Sequence, residues 1–185
     1  SGVGCNATVT NLALLPLTEA GMVERVSAEI KVGSSEAGNN PTSSSHHPVR
    51  SGAVRTYSAT QHRHLAEVEM ILGADFPVRF SVTAIEMVRG VHLLAHVDLT
   101  QPMESRDLWK LYRAVYKQEP FIRLVSSKTG LHRLPESRIV AGTNLDDPPV
   151  FDQEIETISH TMTLPDWDAD TYTWAVRAIK SAPLD

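Results

Sequence analysis

The sequence predicts an α+β domain, a mixed and largely antiparallel sheet with helices packed on one face. Three observations carry that expectation. Val23–Val32 sets Val26, Ala28, Ile30 and Val32 on one side and Ser27, Glu29 and Lys31 on the other, the alternation of a half-buried strand. Two further strand-like runs, Pro77–Val88 and Val91–Thr100, are separated only by the Arg89-Gly90 break. Between Glu104 and Gln118, Leu108, Leu111, Tyr112 and Val115 recur at helical spacing.

The remaining elements follow in order. Residues 7–20 are expected to form the first helix, capped by Asn6 or Thr8, with Pro16 kinking or ending it and Gly21 as its stop. The strand Val23–Val32 comes next. Gly33–Gln61 is rich in Gly, Ser, Asn, Pro and His and reads as a long loop, a length that is usually functional or disordered. His62-Arg63-His64-Leu65-Ala66-Glu67 opens a helix running through about Leu72. The strand Val91–Thr100 is expected to lie antiparallel to Pro77–Val88. Glu104 or Ser105 caps the next helix, and short strands are expected at Phe121–Val125 and Arg138–Ala141. The texture changes after Asp147, where Pro148-Pro149 marks a break. A strand is expected over Glu154–Thr163 and a helix over Thr171–Ser181. The chain thus divides into a main segment, 1–147, and a divergent carboxy-terminal segment, 148–185.

Composition narrows the function classes. A formal net charge of −5 and the lack of a basic tract argue against a nucleic-acid partner. No apolar run reaches the length of a membrane-spanning helix, and no signal peptide is apparent. The single cysteine excludes an internal disulfide framework and fits a reducing compartment, the cytoplasm. The abrupt start at a Gly/Cys turn reads as a cut inside a longer chain.

That cysteine, Cys5, is the centre of the chemical reading. A thiol at a helix start lies where unpaired N–H groups and the helix dipole favour its thiolate, which is the nucleophile. The competing reading is a small buried hydrophobe. Gly2-x-Gly4-x-x-Ala7 also matches the letters of a dinucleotide-binding turn, but no strand stands before it. The His62-x-His64 pair supplies an acid/base imidazole, and Glu67 an acid to orient an imidazole or anchor a substrate amine. A surface loop carrying polar residues is the alternative reading of all three. Zinc held by Cys5, His46, His47, His62 and His64 is a weaker option, because only His-x-His has ligand-like spacing. The Gly33-Ser34-Ser35 turn offers backbone N–H groups for an oxyanion or phosphate, and Arg89 offers a guanidinium for an anion. A flexible connector and a surface arginine are the plainer readings of these two.

In order along the chain stand Gly4-Cys5-Asn6-Ala7-Thr8, Lys31-Val32-Gly33-Ser34-Ser35-Glu36-Ala37-Gly38, Ser45-His46-His47-Pro48, His62-Arg63-His64-Leu65-Ala66-Glu67, Met87-Val88-Arg89-Gly90, Glu119-Pro120-Phe121-Ile122-Arg123 and Ala141-Gly142-Thr143-Asn144. With these motifs, residues 2–147 resemble the catalytic half of the N-acetyl-gamma-glutamyl-phosphate reductases. They look most like the branch acting on aminoadipyl or glutamyl phosphate held on a carrier protein. The resemblance implies a fold like the carboxy-terminal domain of glyceraldehyde-3-phosphate dehydrogenase, and a sheet that pairs two subunits. It implies a cysteine thioester formed at Cys5 and reduced by NADPH to a semialdehyde, in arginine or lysine biosynthesis. His62 or His64 matches the proton shuttle, Glu67 an acid near the substrate's amino end, and Ser34, Ser35 and Arg89 the substrate or phosphate contacts. The family's nucleotide-binding domain has no counterpart in this sequence, and residues 148–185 do not match the family's ending. The alternative is a non-catalytic module for dimerisation or carrier-protein binding.

Overall fold

A computed structural model of the chain describes residues 3–38, 40–119, 122–124, 136–137, 157–163 and 171–179. The described elements are α1 (Cys5–Glu19), β1 (Val23–Val32), α2 (His47–Arg50), β2 (Arg55–Ser58), α3 (Leu65–Leu72), β3 (Val78–Ala84), β4 (Val91–Leu99), α4 (Ser105–Tyr116), β5 (Arg123–Leu124), β6 (Thr157–Thr163) and β7 (Thr171–Ile179), with a 3-10 turn at Ser34–Ala37. The strands form one mixed sheet in the order β2-β3-β1-β4-β7-β6-β5. β1 runs parallel to β3 and antiparallel to β4. The pairs β2–β3, β5–β6 and β6–β7 are antiparallel, and β4–β7 is parallel. The predicted α+β class holds, and antiparallel pairings predominate.

Alternation decides which face is covered. Val26, Ile30 and Val32 of β1, Val78, Phe80 and Val82 of β3, and Leu93, Ala95 and Val97 of β4 are all buried. α1 lies over β1, β4 and β7, α3 over β3, and α4 against α1. On the other face Ser27, Glu29 and Arg79 are exposed and His92, Leu94 and His96 partly buried. That face is polar, exposed along β1 and β3 and partly covered along β4, among the described residues.

Several expectations are corrected. Asn6 and Thr8 lie inside α1, and Gly4 is its cap, without a side-chain hydrogen bond. Pro16 sits within the helix and does not end it. A proline has no N–H to give the carbonyl four residues back. Here the Tyr116 hydroxyl of α4 donates to Leu12 O at 2.6 Å, and the Tyr112 hydroxyl to Ala13 O at 2.5 Å. Two tyrosines one turn apart satisfy the carbonyls around the proline, so the helix continues. The glycine- and serine-rich stretch 33–61 is not one long loop; it contains the 3-10 turn, α2 and β2. β4 does not pair with β3, because β1 lies between them. Thr171–Ile179 is a strand, not a helix. Its Tyr, Thr, Trp, Val and Ile residues favour extended backbone, and in place it pairs with strands on both sides. The strand expected at Arg138–Ala141 lies outside the described residues, as do the motif Ala141–Asn144 and the break at Pro148-Pro149. Among the described residues no helix is long and apolar enough to cross a membrane.

Candidate functional site

Topology brings one end of the sheet together. α1 runs back along β1 through the turn at Gly21, so Cys5 returns to the end where β1 finishes. β3 runs parallel to β1 and finishes there too, and β4 begins there. α3 precedes β3 in the same hairpin sense, which carries His64 and Glu67 to that end. The chemistry-bearing residues singled out in the sequence therefore belong to one rim.

The tips of α1 and α3 meet. The N–H of Gly4, an orphan donor at a helix start, donates to Glu67 Oε2 at 2.8 Å. The ring of His64 lies on Gly4, whose missing side chain makes the approach possible. A Cβ on Gly4 would stand 2.1 Å from His64 Nε2. His64 is buried, and its Nδ1 has no hydrogen-bond partner among the described residues. Cys5, the next residue, is partly exposed, with its Sγ 3.6 Å from Asn6 Oδ1. The Cys5 side chain is partly covered where it packs against the core, and the residue before it, Gly4, touches the His64 ring.

His62 and His64 are in edge contact, with ring centroids 4.6 Å apart. The His64 backbone N–H donates to His62 Nδ1 at 3.2 Å. A neutral His62 accepting there carries its proton on Nε2. Burial, with the nearby Arg63 charge, lowers the His62 pKa. Burial, with His62 beside it, lowers that of His64. Both rings are therefore neutral near pH 7.

Three residues of the site, Tyr57, Glu36 and Arg50, were not singled out in the sequence as functional groups. Tyr57 of β2 makes edge contact with His62 and hydrogen-bonds to the Asn6 side chain. Its pKa is pushed up to about 12, first by burial and then by the Glu36 carboxylate, with Cys5 also raising it and Arg50 opposing. Glu36 forms a 2.9 Å ion pair with Arg50, which is 4% exposed. Strand alternation in a four-residue segment says nothing of Tyr57, and Arg50 and Glu36 sit in stretches that read as connector.

The Ser34–Ser35 turn is built differently from expectation. Ser34 N–H donates to Met87 O at 2.8 Å, Ser35 N–H to Val88 O at 2.9 Å and Gly33 N–H to Gly90 O at 2.9 Å. These amides are committed to the 87–90 turn and do not form an anion nest. The strand end and that turn approach closely because Gly33 has no Cβ; one would lie 2.8 Å from Val88 O. The Ser34 hydroxyl is 3.1 Å from His47 Nδ1. Arg89 is exposed on the same turn. Among the described residues no three His, Cys, Asp or Glu side chains are grouped to hold a metal ion. Nor does the tip of α1 fit a dinucleotide pyrophosphate, because the Glu67 carboxylate already occupies Gly4 N–H.

Comparison with known proteins adds to this geometry. Residues 5–159 match the family described as semialdehyde dehydrogenase, dimerisation domain. A protein of Thermomicrobium roseum named putative LysW-L-2-aminoadipate 6-phosphate reductase is 47% identical over 150 residues, 78% of this chain and 43% of that relative. A LysW-L-2-aminoadipate 6-phosphate reductase of Deinococcus radiodurans is 38% identical over 156 residues, 83% of this chain and 44% of the relative. The protein of Saccharolobus solfataricus named LysW-L-2-aminoadipate/LysW-L-glutamate phosphate reductase is 37% identical over 150 residues, 78% of this chain and 42% of the relative. The chain therefore spans less than half the length of these curated relatives.

Proposed function

The chain belongs to the semialdehyde dehydrogenase dimerisation-domain family, and from that premise we propose that it is the catalytic and subunit-pairing half of an acyl-phosphate reductase. The substrate is an aminoadipyl or glutamyl phosphate carried on a protein, as the names of the relatives describe for them. The single observation supporting the reading is the meeting of the α1 and α3 tips, where Gly4, the residue before Cys5, lies against His64 and Glu67. The Cys5 thiolate attacks the acyl carbon, the C–S bond forms, the C–O bond to phosphorus breaks, and inorganic phosphate leaves. NADPH would supply the hydride that takes this thioester to the semialdehyde, with the C–S bond breaking and the Cys5 thiolate returning. The Nε2–H of neutral His62 is the proton held ready at this rim, and His64 packs the Gly4 backbone so that the sulfur keeps its place. Glu67 fixes the start of α1 through Gly4 N–H. Ser34, Ser35 and Arg89 border the same end of the sheet as substrate contacts. The polar face of the sheet pairs two copies, in keeping with the dimerisation domain. Such an enzyme would work in the cytoplasm, in lysine or arginine biosynthesis.

Incubating the chain with acetyl phosphate and reading the intact mass tests this. Acylation should occur at Cys5 and vanish in Cys5→Ser. Iodoacetamide should label Cys5 several-fold faster than N-acetylcysteine at neutral pH, as a thiol at a helix tip requires. The same preparation should sediment as a dimer. A sulfur that is neither acylated nor faster than a free thiol would leave only a module for pairing or carrier docking.

A further inference from the structure

We propose that Arg50, set by Glu36, is a subsite for the α-carboxylate of an N-acylated amino-acid substrate at the Cys5 rim. The proposal rests on the reductase reading and names the part of the substrate that this end of the sheet holds. A guanidinium has five N–H donors in a planar fork. In Arg50 Nε donates to Ser44 O at 3.3 Å and Nη2 to Glu36 Oε1 at 2.9 Å. Nη1 is buried and has no acceptor among the described residues. An unsatisfied buried group costs a folded protein free energy, and a charged one costs more. A ligand oxygen that arrives at this nitrogen recovers that cost.

The position is right for substrate. Arg50 ends α2, Glu36 lies in the 3-10 turn after β1, and both act electrostatically on the Tyr57 phenol. Glu36 follows β1 at the end of the sheet to which Cys5 returns, and the Tyr57 phenol is bonded to Asn6, the residue after Cys5. The backbone N–H groups expected to hold an anion are otherwise taken up, which leaves the Ser34 and Ser35 hydroxyls and Arg89 for other parts of the substrate. The Ser34 and Ser35 amides are bonded to the 87–90 turn, and Arg89 is on the surface.

The chemistry favours a carboxylate over a phosphate. Glu36 already neutralises Arg50, and its carboxylate stands 2.9 Å from the same guanidinium. A dianion would meet that like charge twice over, whereas a monoanionic carboxylate meets it once. A carboxylate also persists from substrate to semialdehyde, so a fixed arginine holds the chain while phosphate departs from the other end.

Calorimetric titration of the purified chain with N-acetyl-L-glutamine, and with the same molecule bearing an amide in place of its carboxylate, tests the proposal. The acid should bind saturably and the amide should not. Arg50→Lys should weaken the acid by about tenfold or more, the loss of a charge-assisted fork. Glu36→Gln keeps an acceptor that sets the guanidinium and removes the competing anion, so it should bind the acid several-fold more tightly. This variant keeps the test decisive if Arg50→Lys fails to fold. A merely structural ion pair would weaken folding in both variants without moving affinity in opposite directions. Equal binding of acid and amide, no binding of either, or inorganic phosphate displacing the acid at equal concentration would each overturn the proposal. Cys5 acylation without carboxylate binding would sink the subsite and leave the reductase. Carboxylate binding beside an inert Cys5 would do the reverse.

Discussion

Gly4 has work on both sides of its backbone. Its N–H is held by Glu67, and the face where a side chain would stand is covered by the His64 ring. Gly4→Ala must push a buried imidazole aside, and overpacking of this kind costs about 1–3 kcal/mol. We expect Gly4→Ala to lower the urea midpoint accordingly, and His64→Ala to abolish most of that loss in the double variant. A Gly4→Ala cost unchanged in the His64→Ala background would place the strain elsewhere. The sequence made Cys5, His62, His64 and Glu67 legible because their types and spacing form a motif. It hid Tyr57 and Arg50 and showed Glu36 only as one letter of the Lys31–Gly38 motif, because their contacts arise from what the 33–61 stretch folds against. Asn6 illustrates the limit in another way. It was legible as a cap and is instead a buried residue bonded to Tyr57, since Gly4 takes the cap.

The first helix shows how an element tolerates a residue that opposes it. Pro16 removes one donor, and Tyr116 and Tyr112 supply hydroxyls to Leu12 and Ala13 from α4. Burial raises the pKa of both phenols, so both remain donors. Tyr116→Phe strands a carbonyl and should cost about 1–3 kcal/mol. In a Pro16→Ala background position 16 regains its N–H and can bond Leu12 O itself. The cost of Tyr116→Phe should then shrink, which a double-mutant cycle of denaturation midpoints measures directly. Equal costs in both backgrounds would sever the link between the proline and the tyrosine. Helical spacing predicted α4 because its periodicity is long and clean. The helix expected over Thr171–Ser181 had no such periodicity behind it, and there the partner strands decide for extended backbone.

At the scale of the molecule, one face of the sheet lies under the helices and the other is polar, and His92 sits on the polar face where it is partly covered. Burial, aided by Lys31, pushes the His92 pKa down to about 4, with Glu29 opposing. Its Nδ1 has no hydrogen-bond partner among the described residues. His62 and His64 are shifted the same way. Below the ordinary histidine value of 6.5 the unfolded chain takes up protons that the folded chain refuses. Stability is therefore complete above that value and drains away as the pH falls toward about 4. For His92 the loss is at most on the order of 3 kcal/mol. The urea midpoint should drop over that window, and His92→Gln should flatten the drop. A wild-type midpoint independent of pH there would show that the imidazole is charged when folded. The sheet's strands were mostly legible from alternation, but their order was not. Nothing local in β4 says that its neighbour is β1 and not β3, since that choice is made by where the helices must be covered.

The place of β1 between a parallel and an antiparallel neighbour makes its length a gauge. From Val26 to Val32 each residue is matched on both sides, to Val78–Ala84 and to Val97–Val91. Its one irregularity, at Val23–Arg25, falls at the end away from the rim. A single inserted residue in the matched span would turn Ser27, Glu29 and Lys31 toward the helices or be expelled as a bulge. Two would restore the facing but carry Gly33 and its serines about 7 Å past the thiol. The spacing between sulfur and serine loop is thus counted out in strand residues, and evolution can lengthen the connectors around β1 far more freely than β1 itself.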